Sequence, residues 1–329
     1  MYSIEEKTSP FLHDSETVIN LQLDLLAGLL AVTLIAVVQN GLRVLAITLC
    51  TAFVYWATET IANLIFKQSN MGFIRSISTG FIIALICPVT ISIWVPVFSA
   101  FVTAVFVKFV LRDTYKRLFI ASAIGWLIML SVAPSQMTAY PAAAGFQMFP
   151  VFDNVESFQT TSSIAQFLQS HRTPPYSVID LLTGHYSGGM GTTCIFIILA
   201  VCIYFIFRKS MAWQVSLSMI LTVSVFAVIF NRIGGPALYS VLYELTASSF
   251  IFVAVFVAGD IINAPMLTIS KIFYGVMLGT VTMLCRYLGF GEHCVVIALI
   301  CCNLLVETFD LASLKLQVKI KQKNLLNNY

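Results

Sequence analysis

Apolar runs long enough to cross a lipid bilayer recur along the whole chain, and they constrain its fold more than any other sequence feature. A spanning helix needs about 20 mostly apolar residues. By this rule the predicted spans number ten and lie near residues 21–39, 44–66, 75–92, 94–111, 117–133, 191–207, 213–230, 240–258, 268–285 and 294–311. The sequence therefore predicts an all-α polytopic membrane protein with about ten transmembrane helices.

Composition agrees with a membrane protein and excludes some other classes. The chain is 59% hydrophobic and 10% charged, with a mean hydropathy of +0.91, whereas soluble domains are about 25% charged. Its polar, acidic start lacks the basic region of a cleaved signal peptide, so we expect the start to be retained. The net charge is only +3, without a basic stripe interleaved with aromatic residues, which argues against a nucleic-acid partner.

The distribution of positive charge predicts the orientation in the membrane. With the N-terminus in the cytoplasm, 14 of the 18 Lys and Arg residues fall on the cytoplasmic side. The four on the outer side are Arg43, Arg172, Arg232 and Arg286. Because cytoplasmic loops carry the excess of positive charge, both termini are predicted to be cytoplasmic. The long polar segment 134–190 is then extracytoplasmic.

Five predicted spans precede this segment and five follow it, which indicates a 5+5 inverted repeat. The predicted units are a cytoplasmic segment (1–20), a first five-helix repeat (21–133), the extracytoplasmic loop (134–190), a second five-helix repeat (191–311) and a basic cytoplasmic tail (312–329). The third span, STGFIIALICPVT from Ser78, corresponds to the eighth, SSFIFVAVFVAGD from Ser248. Both run into a predicted helix break.

Asp260 lies in the second break, between two apolar runs. A carboxylate at the centre of a spanning helix costs about 2.5–3.5 kcal/mol on insertion scales, so such a residue is usually functional or paired. The alternative is a position at the cytoplasmic interface, where Asp260 caps a helix and meets Lys271. The same two interpretations apply to Glu244 and Glu307.

The loop 134–190 has room for polar chemistry. It contains the hydroxyl run SFQTTSS from Ser157 and leads into the glycine-rich sequence GGMGTT from Gly188. Glycines permit close backbone approach, and a helix beginning near Gly191 would direct free N–H groups at a phosphate or another anion. Gly188, Gly189, Gly191 and Thr192 are therefore candidate binding residues. The alternative is a tight turn or close helix packing.

Cysteine and histidine do not indicate a metal or haem site in this sequence. Most of the eight cysteines fall in apolar segments, where Cys behaves as a small hydrophobic residue. None of the four histidines lies centrally in an apolar span, as a haem ligand on facing helices would. No catalytic triad or zinc spacing is present either, so no catalytic or metal-binding residue is predicted.

Four stretches together resemble one family of membrane electron-transport proteins. They are SPFLHDSETVINLQLDLLAGLLAV from Ser9, TGFIIALICP from Thr79, LLTGHYSGGMGTTCIFIILAVCIYFIFRKSMAW from Leu181, and VFVAGDIINAP followed by YGVMLGTVTMLCRYLGFGEHCVVIALICCNLLVETFD. Over nearly its whole length the chain resembles the D subunit of Rnf-type ferredoxin:NAD electron-transport complexes. That subunit is similar to the B subunit of the sodium-pumping NADH:quinone oxidoreductase.

The resemblance implies a subunit of the bacterial cytoplasmic membrane that works with other membrane and peripheral subunits, carries electrons through flavin and couples them to ion movement. It also implies an FMN joined by a phosphoester to a Thr or Ser of the loop. The family's attachment motif is Asp-x-x-Ser/Thr-Gly-Ala-Thr, whereas this chain has DNVESFQTTSSIAQFL from Asp153, without the Gly-Ala pair. One alignment of this stretch with the motif makes Ser162 the FMN acceptor, and another makes Thr160 the acceptor. Thr160, Thr161 and Ser162 are therefore the candidate attachment residues.

Two features leave alternatives open. The Ser/Thr run is also suited to capping a helix over IAQFL. After the fourth span, this chain has the basic turn KFVLRDTYKRLF where the family has a Gly-Gln-Asn and Asn-Pro-Ala element. We link that element of the family to a second, non-covalent flavin. The alternative function is a transporter or channel-like protein on the same scaffold without flavin. A third is a purely structural subunit of a redox assembly.

Overall fold

The structure, a computed structural model, describes residues 18–67, 72–111, 120–141, 160–233, 235–306, 308–311 and 313–315. Their helices are α1 (Val18–Asn40), α2 (Leu42–Phe66), α3 (Phe73–Ile86), α4 (Trp94–Val105), α5 (Ala121–Val132), α6 (Pro134–Met137), α7 (Ile164–Gln169), α8 (Val178–Thr183), α9 (Ile195–Arg208), α10 (Trp213–Ile229), α11 (Ala237–Thr246), α12 (Phe250–Phe252), α13 (Thr268–Tyr287) and α14 (Cys294–Asn303). Two π-helices continue α4 and α12, over Phe106–Leu111 and Val253–Val257. Two strands, β1 (Tyr140–Pro141) and β2 (Thr160–Thr161), pair in the loop.

Each predicted span overlaps one of these helices or a kinked pair. Among the described residues, four apolar helical stretches of 20 to 25 residues are long enough to cross a membrane, namely Val18–Asn40, Leu42–Phe66, the kinked Ala237–Val257 and Thr268–Tyr287. Five shorter apolar helices and one bent pair, Gly291–Asn303 with Thr308–Lys315, match the other predicted spans. The predicted all-α, multi-pass membrane fold is confirmed. The count of ten complete crossings, the domain limits and the inverted repeat stay predictions.

The two helices that end in breaks occupy the centre of the bundle. All residues from Gly80 to Cys87 are buried, and so are those from Phe252 to Ala258. A helix that is apolar on every side is suited to such a position. The helix α3 ends at Ile86 because Pro88 pushes the preceding Cys87 into extended backbone, with ψ at 154°. The predicted break after the third span is thus confirmed. The helix ends six residues before residue 92, the predicted end of the span.

Small residues bring neighbouring helices into close contact. A Cβ added to Gly275 on α13 would lie 2.4 Å from the carbonyl oxygen of Val215 on α10. A Cβ added to Gly80 on α3 would lie 2.5 Å from the Cα atom of Ala52 on α2. Membrane helices use such residues because lipid tails are as apolar as side chains, so that close packing drives their association.

The eighth span contains a kink that the sequence did not predict. Between α11 and α12, Ser248 and Ser249 adopt left-handed backbone with φ of 58° and 57°. This conformation costs a non-glycine residue roughly 1–2 kcal/mol, so neighbouring groups must stabilise it. The predicted span 240–258 is therefore two helices joined at an angle.

The segment 160–190 covers one end of the bundle. Gln39, at the end of α1, donates a hydrogen bond to the carbonyl oxygen of Thr183 at 2.6 Å. The hydroxyl of Tyr243 on α11 donates to the carbonyl oxygen of Tyr176 at 2.9 Å. We call this end of the bundle the loop side and the other end the opposite side.

Candidate functional site

The candidate attachment residues lie directly before α7 on the loop side. The β2 residues Thr160 and Thr161 pair antiparallel with Pro141 and Tyr140 of β1. Ser162 follows and is exposed. The segment from Asp153 to Gln159, which holds the first part of the expected motif, lies outside the described residues.

Ser163, the next residue, is buried and caps α7. Its hydroxyl accepts from the amide of Gln166 at 3.4 Å, and the Gln166 side chain accepts from the Ser163 amide at 3.2 Å. This reciprocal pair is a capping box, which satisfies two of the free amides at a helix start. The predicted helix over IAQFL is confirmed, with Ser163 as its cap. The three candidate hydroxyls precede the helix.

The 3₁₀ turn Gly291–His293, which leads into α14, meets both the loop helix and the kink of the eighth span. The Gln169 side chain at the end of α7 donates to the carbonyl oxygen of Gly289, just before the turn, at 2.8 Å. The hydroxyl of Ser248 in the kink donates to the carbonyl oxygen of Gly291 at 3.2 Å. Glu292 lies in this turn, where burial raises the pKa of its carboxyl.

The glycine-rich run packs against the broken end of α3. The amide of Met190 donates to the carbonyl oxygen of Cys87 at 2.8 Å, and the amide of Gly191 donates to that of Leu85 at 2.9 Å. These carbonyls lack helical partners because α3 stops here. A Cβ added to Gly189 would lie 2.6 Å from the carbonyl oxygen of Ile86, so this approach requires glycine.

The start of α9 differs from the prediction of a helix beginning near Gly191. The helix starts at Ile195, because the amide and hydroxyl of Thr192 fold back onto the carbonyl oxygen of Gly189 at 3.1 and 3.2 Å. Gly188 is partly buried, and the hydroxyl of buried Thr193 donates to Gln39 at 3.3 Å. The amides of Met190, Gly191 and Thr192 are bonded within the protein, as the close-packing alternative expects. Binding of an anion or a cofactor by Gly188, Gly189, Gly191 and Thr192 stays a prediction.

A buried cluster of three charges also lies on the loop side. Glu244, near the end of α11, accepts from Arg232 at 2.6 Å through Oε1 and from Arg286 at 2.9 Å through Oε2. Arg286 also donates to the main-chain carbonyl oxygens of Glu244 and Ala247, at 2.7 and 2.9 Å. Of the two interpretations of Glu244, the structure supports the paired one. Glu307 lies outside the described residues.

The same cluster borders a small cleft beside α7, with a volume of about 10 Å³. Its lining residues are Ala165, Gln169, Arg232, Ala247, Arg286 and Gly291. The Nε atom of Arg286 is buried and has no hydrogen-bond partner among the described residues. Buried donors are normally satisfied, so the cleft borders a guanidinium that still has a donor for an acceptor group.

Asp260 lies near the opposite side, after the π-helix that follows α12. Its carboxylate accepts from the amide of Ile262 at 3.1 Å and from the Asn263 side chain at 2.8 Å. Arg75 of α3 contacts Asn263 at 3.5 Å, and its charge lowers the pKa of Asp260 while burial, the larger effect, raises it. Asp260 therefore caps its own turn, as one interpretation held, with Arg75 rather than Lys271 as the cation acting on it.

A second polar group near the opposite side joins three helices. Glu59 on α2 pairs with Lys108 in the π-helix after α4 at 2.9 Å. Its other oxygen accepts from the hydroxyl of Ser76 on α3. The sequence analysis did not select these residues, because each is a single polar residue whose partners come from other helices.

Comparison with known protein families now adds to this geometry. Residues 5–318 match the model of the NQR2, RnfD, RnfE family. The chain belongs to this family. The match covers all the described helices, so the multi-pass fold is that of an NQR2, RnfD, RnfE family member.

Curated relatives from this family share modest identity with the chain. It is 24% identical to the D subunit of the ion-translocating oxidoreductase complex of Actinobacillus succinogenes, over 92% of this chain and 94% of that protein. It is 23% identical to the D subunit of the Na(+)-translocating ferredoxin:NAD(+) oxidoreductase complex of Acetobacterium woodii, over 87% and 86% of the two chains. For the B subunit of the Na(+)-translocating NADH-quinone reductase of Chromohalobacter salexigens, the identity is 24%, over 74% and 59%. The chain is a divergent member of the family.

Proposed function

We propose that this chain is a membrane subunit of an Rnf-type, ion-translocating oxidoreductase complex and carries electrons through flavin on the loop 134–190. The observation that carries the proposal is the family match over residues 5–318. Relatives that align over most of their length bear the names of D subunits of such complexes. We infer that the chain shares their role and, with it, other membrane and peripheral subunits as partners in a bacterial cytoplasmic membrane.

Two observations on the loop side support a flavin there. A phosphoester needs an accessible hydroxyl, and Ser162 is exposed beside Thr160 and Thr161. FMN is anionic, and the loop side carries the positive charges of Arg232 and Arg286, with one buried Nε of Arg286 that lacks a partner among the described residues. We propose that this positive charge attracts the anionic part of the cofactor to the loop side. FMN supplies the electron-transfer chemistry when bound, and the protein orients it and tunes its electrostatics.

Polar groups near the opposite side support ion movement. Charged residues inside membrane proteins often mark ion pathways. The Glu59–Lys108 pair contacts α3 through Ser76, and the Arg75–Asn263–Asp260 contacts join α3 to the turn after the eighth span. We propose that they form the cytoplasmic part of an ion path, with both termini on the same side. The second, non-covalent flavin stays a prediction, since the turn KFVLRDTYKRLF replaces the family's element and its residues 112–119 lie outside the described residues.

The test of covalent flavin is in-gel fluorescence of the denatured full-length protein from its native host, combined with intact mass. We expect a fluorescent band with a mass excess of one FMN residue. Replacing Thr160, Thr161 and Ser162 together by Ala should abolish both signals. Ser177→Ala, which removes another loop hydroxyl, serves as the matched control and should retain them. A dark band at the unmodified mass, in a host whose other flavoproteins fluoresce, would refute covalent attachment.

A transporter or channel-like protein without flavin is the second candidate. It is favoured by the engagement of the Met190 and Gly191 amides in protein hydrogen bonds and by the missing Gly-Ala pair. Ion flux through the purified chain in proteoliposomes, together with a dark band, would support it. A dark band without flux would instead favour a purely structural subunit.

A further inference from the structure

The part of the loop that begins at Ser162 is fastened to helices that follow the loop in the chain. The Gln169 side chain, at the end of α7, donates to the carbonyl oxygen of Gly289 at 2.8 Å. The main-chain carbonyl oxygen of Tyr176 accepts from the hydroxyl of Tyr243 on α11 at 2.9 Å. We call residues 162–176 the first arm of the loop. The helices after the loop therefore set the position of the first arm.

A later part of the loop is fastened instead to helices that precede it. The Gln39 side chain, at the end of α1, donates to the carbonyl oxygen of Thr183 at 2.6 Å. The amides of Met190 and Gly191 donate to carbonyl oxygens at the broken end of α3. We call residues 183–191 the second arm. Its position follows the helices of the first half of the chain.

Ser187 joins the two arms. It belongs to the second arm and is 3% exposed, and its hydroxyl donates to the main-chain carbonyl oxygen of Ser162 at 2.9 Å. The hydroxyl oxygen of Tyr176 lies 3.2 Å from that of Ser187. A serine hydroxyl has one proton, which Ser187 gives to Ser162, so Tyr176 is the donor in the second contact. One buried side chain thus binds both ends of the first arm.

Apolar side chains from both arms share a buried cluster in the same region. The cluster contains Ile164 and Leu168 of the first arm and Tyr186 of the second. Burial of apolar surface is favourable but has no direction, so it holds the arms together without fixing which residues face each other. Buried hydrogen bonds do fix this, because an unpaired buried polar group is unfavourable. The bond from Ser187 therefore sets where Ser162 lies against the second arm.

We propose that Ser187 is a positioning residue that holds the candidate attachment residue Ser162 at the junction of the two arms. Since the arms follow different halves of the chain, a displacement between the halves acts on Ser162 through Ser187. The functional meaning of this link rests on the proposed function, in which the loop carries the flavin. The link itself is a property of the protein chain and is measured without flavin.

The helix α3 extends this link to the opposite side. Its broken end binds the second arm, and its first turn carries Arg75 and Ser76, which contact Asn263 and Glu59 of the proposed ion path. One helix of 14 residues thus lies between the ion path and the arm that holds Ser187. A movement of α3 during ion passage would change the position of the attachment residue.

The experiment measures mobility at residue 162 by electron paramagnetic resonance on the full-length protein in lipid nanodiscs. Ser162→Cys carries the spin label and keeps the main-chain carbonyl group that Ser187 binds. The exposed cysteines Cys50 and Cys301 are replaced by Ala, and the same chain without Ser162→Cys gives the background. We expect Ser187→Ala to shorten the rotational correlation time of the label about twofold or more, because a segment that loses a buried anchor moves more freely.

Two further variants make this comparison specific. Ser177→Ala is the matched control, because Ser177 is an exposed loop serine that caps α8 through Asp180 and lies between the arms. It should leave the label unchanged. Tyr176→Phe removes the donor to Ser187 but keeps the bond to Ser162, so its effect should be smaller than that of Ser187→Ala.

A double-mutant cycle tests transmission from α3. Gly189→Ala displaces the second arm from the carbonyl oxygen of Ile86, where the new Cβ would lie at 2.6 Å. We expect it to increase mobility at residue 162 when Ser187 is present and to add little in Ser187→Ala, since coupled residues are not additive. If Gly189→Ala does not fold, Gln39→Ala, which releases Thr183 from α1, takes its place.

Unchanged mobility in Ser187→Ala, or an equal change in Ser177→Ala, would overturn the positioning role. Additive effects in the double-mutant cycle would also overturn it, because the displacement would then reach residue 162 by another route. In-gel fluorescence of the unlabelled chains separates the two proposals. A dark band with increased mobility in Ser187→Ala would refute flavin attachment alone. A fluorescent band with unchanged mobility would refute the positioning role alone.

Where the band is fluorescent, the anisotropy of the flavin in the native protein gives a spectroscopic measurement. Ser187→Ala should lower this anisotropy by freeing the segment that holds the flavin, and Ser177→Ala should leave it unchanged. Equal anisotropy in Ser187→Ala and the native protein would contradict the positioning role.

Discussion

Arg286 binds Glu244 at two places, with Nη1 at 2.9 Å from the carboxylate oxygen Oε2 and at 2.7 Å from the main-chain carbonyl oxygen. In an unbroken helix, the carbonyl oxygen of Glu244 would accept from an amide one turn later. The kink at Ser248 and Ser249 interrupts the helix there, and the Arg286 guanidinium supplies the donor instead. The guanidinium therefore neutralises a buried carboxylate and satisfies a broken helix at once.

The first prediction concerns this buried cluster. The Glu244 side chain is 1% exposed, and those of Arg232 and Arg286 are 9% and 2% exposed. Glu244→Ala leaves two buried cations without their carboxylate, so we expect it to destabilise the protein by about 3–5 kcal/mol. Equilibrium unfolding in mixed micelles measures this loss. Lys209→Gln, at an exposed lysine away from the cluster, is the control and should change stability by at most about 0.5 kcal/mol.

A second prediction concerns the contact between the glycine-rich run and α3. Gly189→Ala would place a Cβ 2.6 Å from the carbonyl oxygen of Ile86, so the run must move away. We expect a loss of about 1–3 kcal/mol, as for other overpacked sites, measured as lower thermal stability in detergent. Gly235→Ala, where no described atom lies within 4 Å of the new Cβ, should leave stability nearly unchanged. Equal behaviour of the two variants would contradict the observed packing.

The third prediction is a pH dependence at Asp260. Burial raises its pKa above the usual 3.8, more than the Ile262 amide and Arg75 lower it. The folded state therefore binds more protons than the unfolded state between the two pKa values, so stability falls as pH rises through this interval. Asp260→Asn should remove this contribution. Arg75→Gln should raise the pKa further and move the interval upward.

The third prediction is tested by measuring unfolding temperatures of the full-length protein from acid pH upward, through the pKa of Asp260 in the unfolded chain and its raised pKa in the folded protein. Parallel profiles for the native protein and Asp260→Asn would show that Asp260 titrates as in the unfolded chain.

The fourth prediction concerns the π-helix after α12. The buried hydroxyl of Ser216 on α10 donates to the carbonyl oxygen of Ala254 at 2.6 Å. Ser216→Ala should cost about 0.5–1.5 kcal/mol, the net contribution of a typical hydrogen bond. Ser224→Ala is the control on the same helix, because its hydroxyl bonds only the Ile220 carbonyl one turn away among the described contacts. Similar losses for both variants would argue against a specific role of Ser216 at the π-helix.

Hydropathy alone located the helices well, since burial in lipid requires uninterrupted apolar sequence. The predicted span 21–39 corresponds to Val18–Asn40, and 213–230 corresponds to Trp213–Ile229. The break after Ile86 was also predictable, because Pro88 acts on its immediate neighbour. These features depend on local sequence, which a pattern of residue types captures.

The kink and the candidate site depend instead on residues far apart in the chain. Ser248 and Ser249 have no sequence signal for left-handed backbone, and the groups that bond the kink, the Arg286 guanidinium and the Gly291 carbonyl oxygen, follow some 40 residues later. Arg232 and Arg286 served in the sequence analysis only as two of the four outer cations. Their pairing with Glu244 explains why positive charge is tolerated on that side, and no pattern of charges along the chain specifies it.

Two of the helices that border the bundle are shorter than a bilayer is thick. The helix α5 has 12 residues and α9 has 14, so they extend about 18 and 21 Å against a hydrocarbon layer of about 30 Å. The remaining depth beside α9 is covered by the turn before it, in which the amides of Met190, Gly191 and Thr192 bond within the protein. The length of the lipid acyl chains therefore affects this protein. A bilayer of shorter-chain lipids matches the length of these helices, whereas a bilayer of longer-chain lipids must become thinner around them.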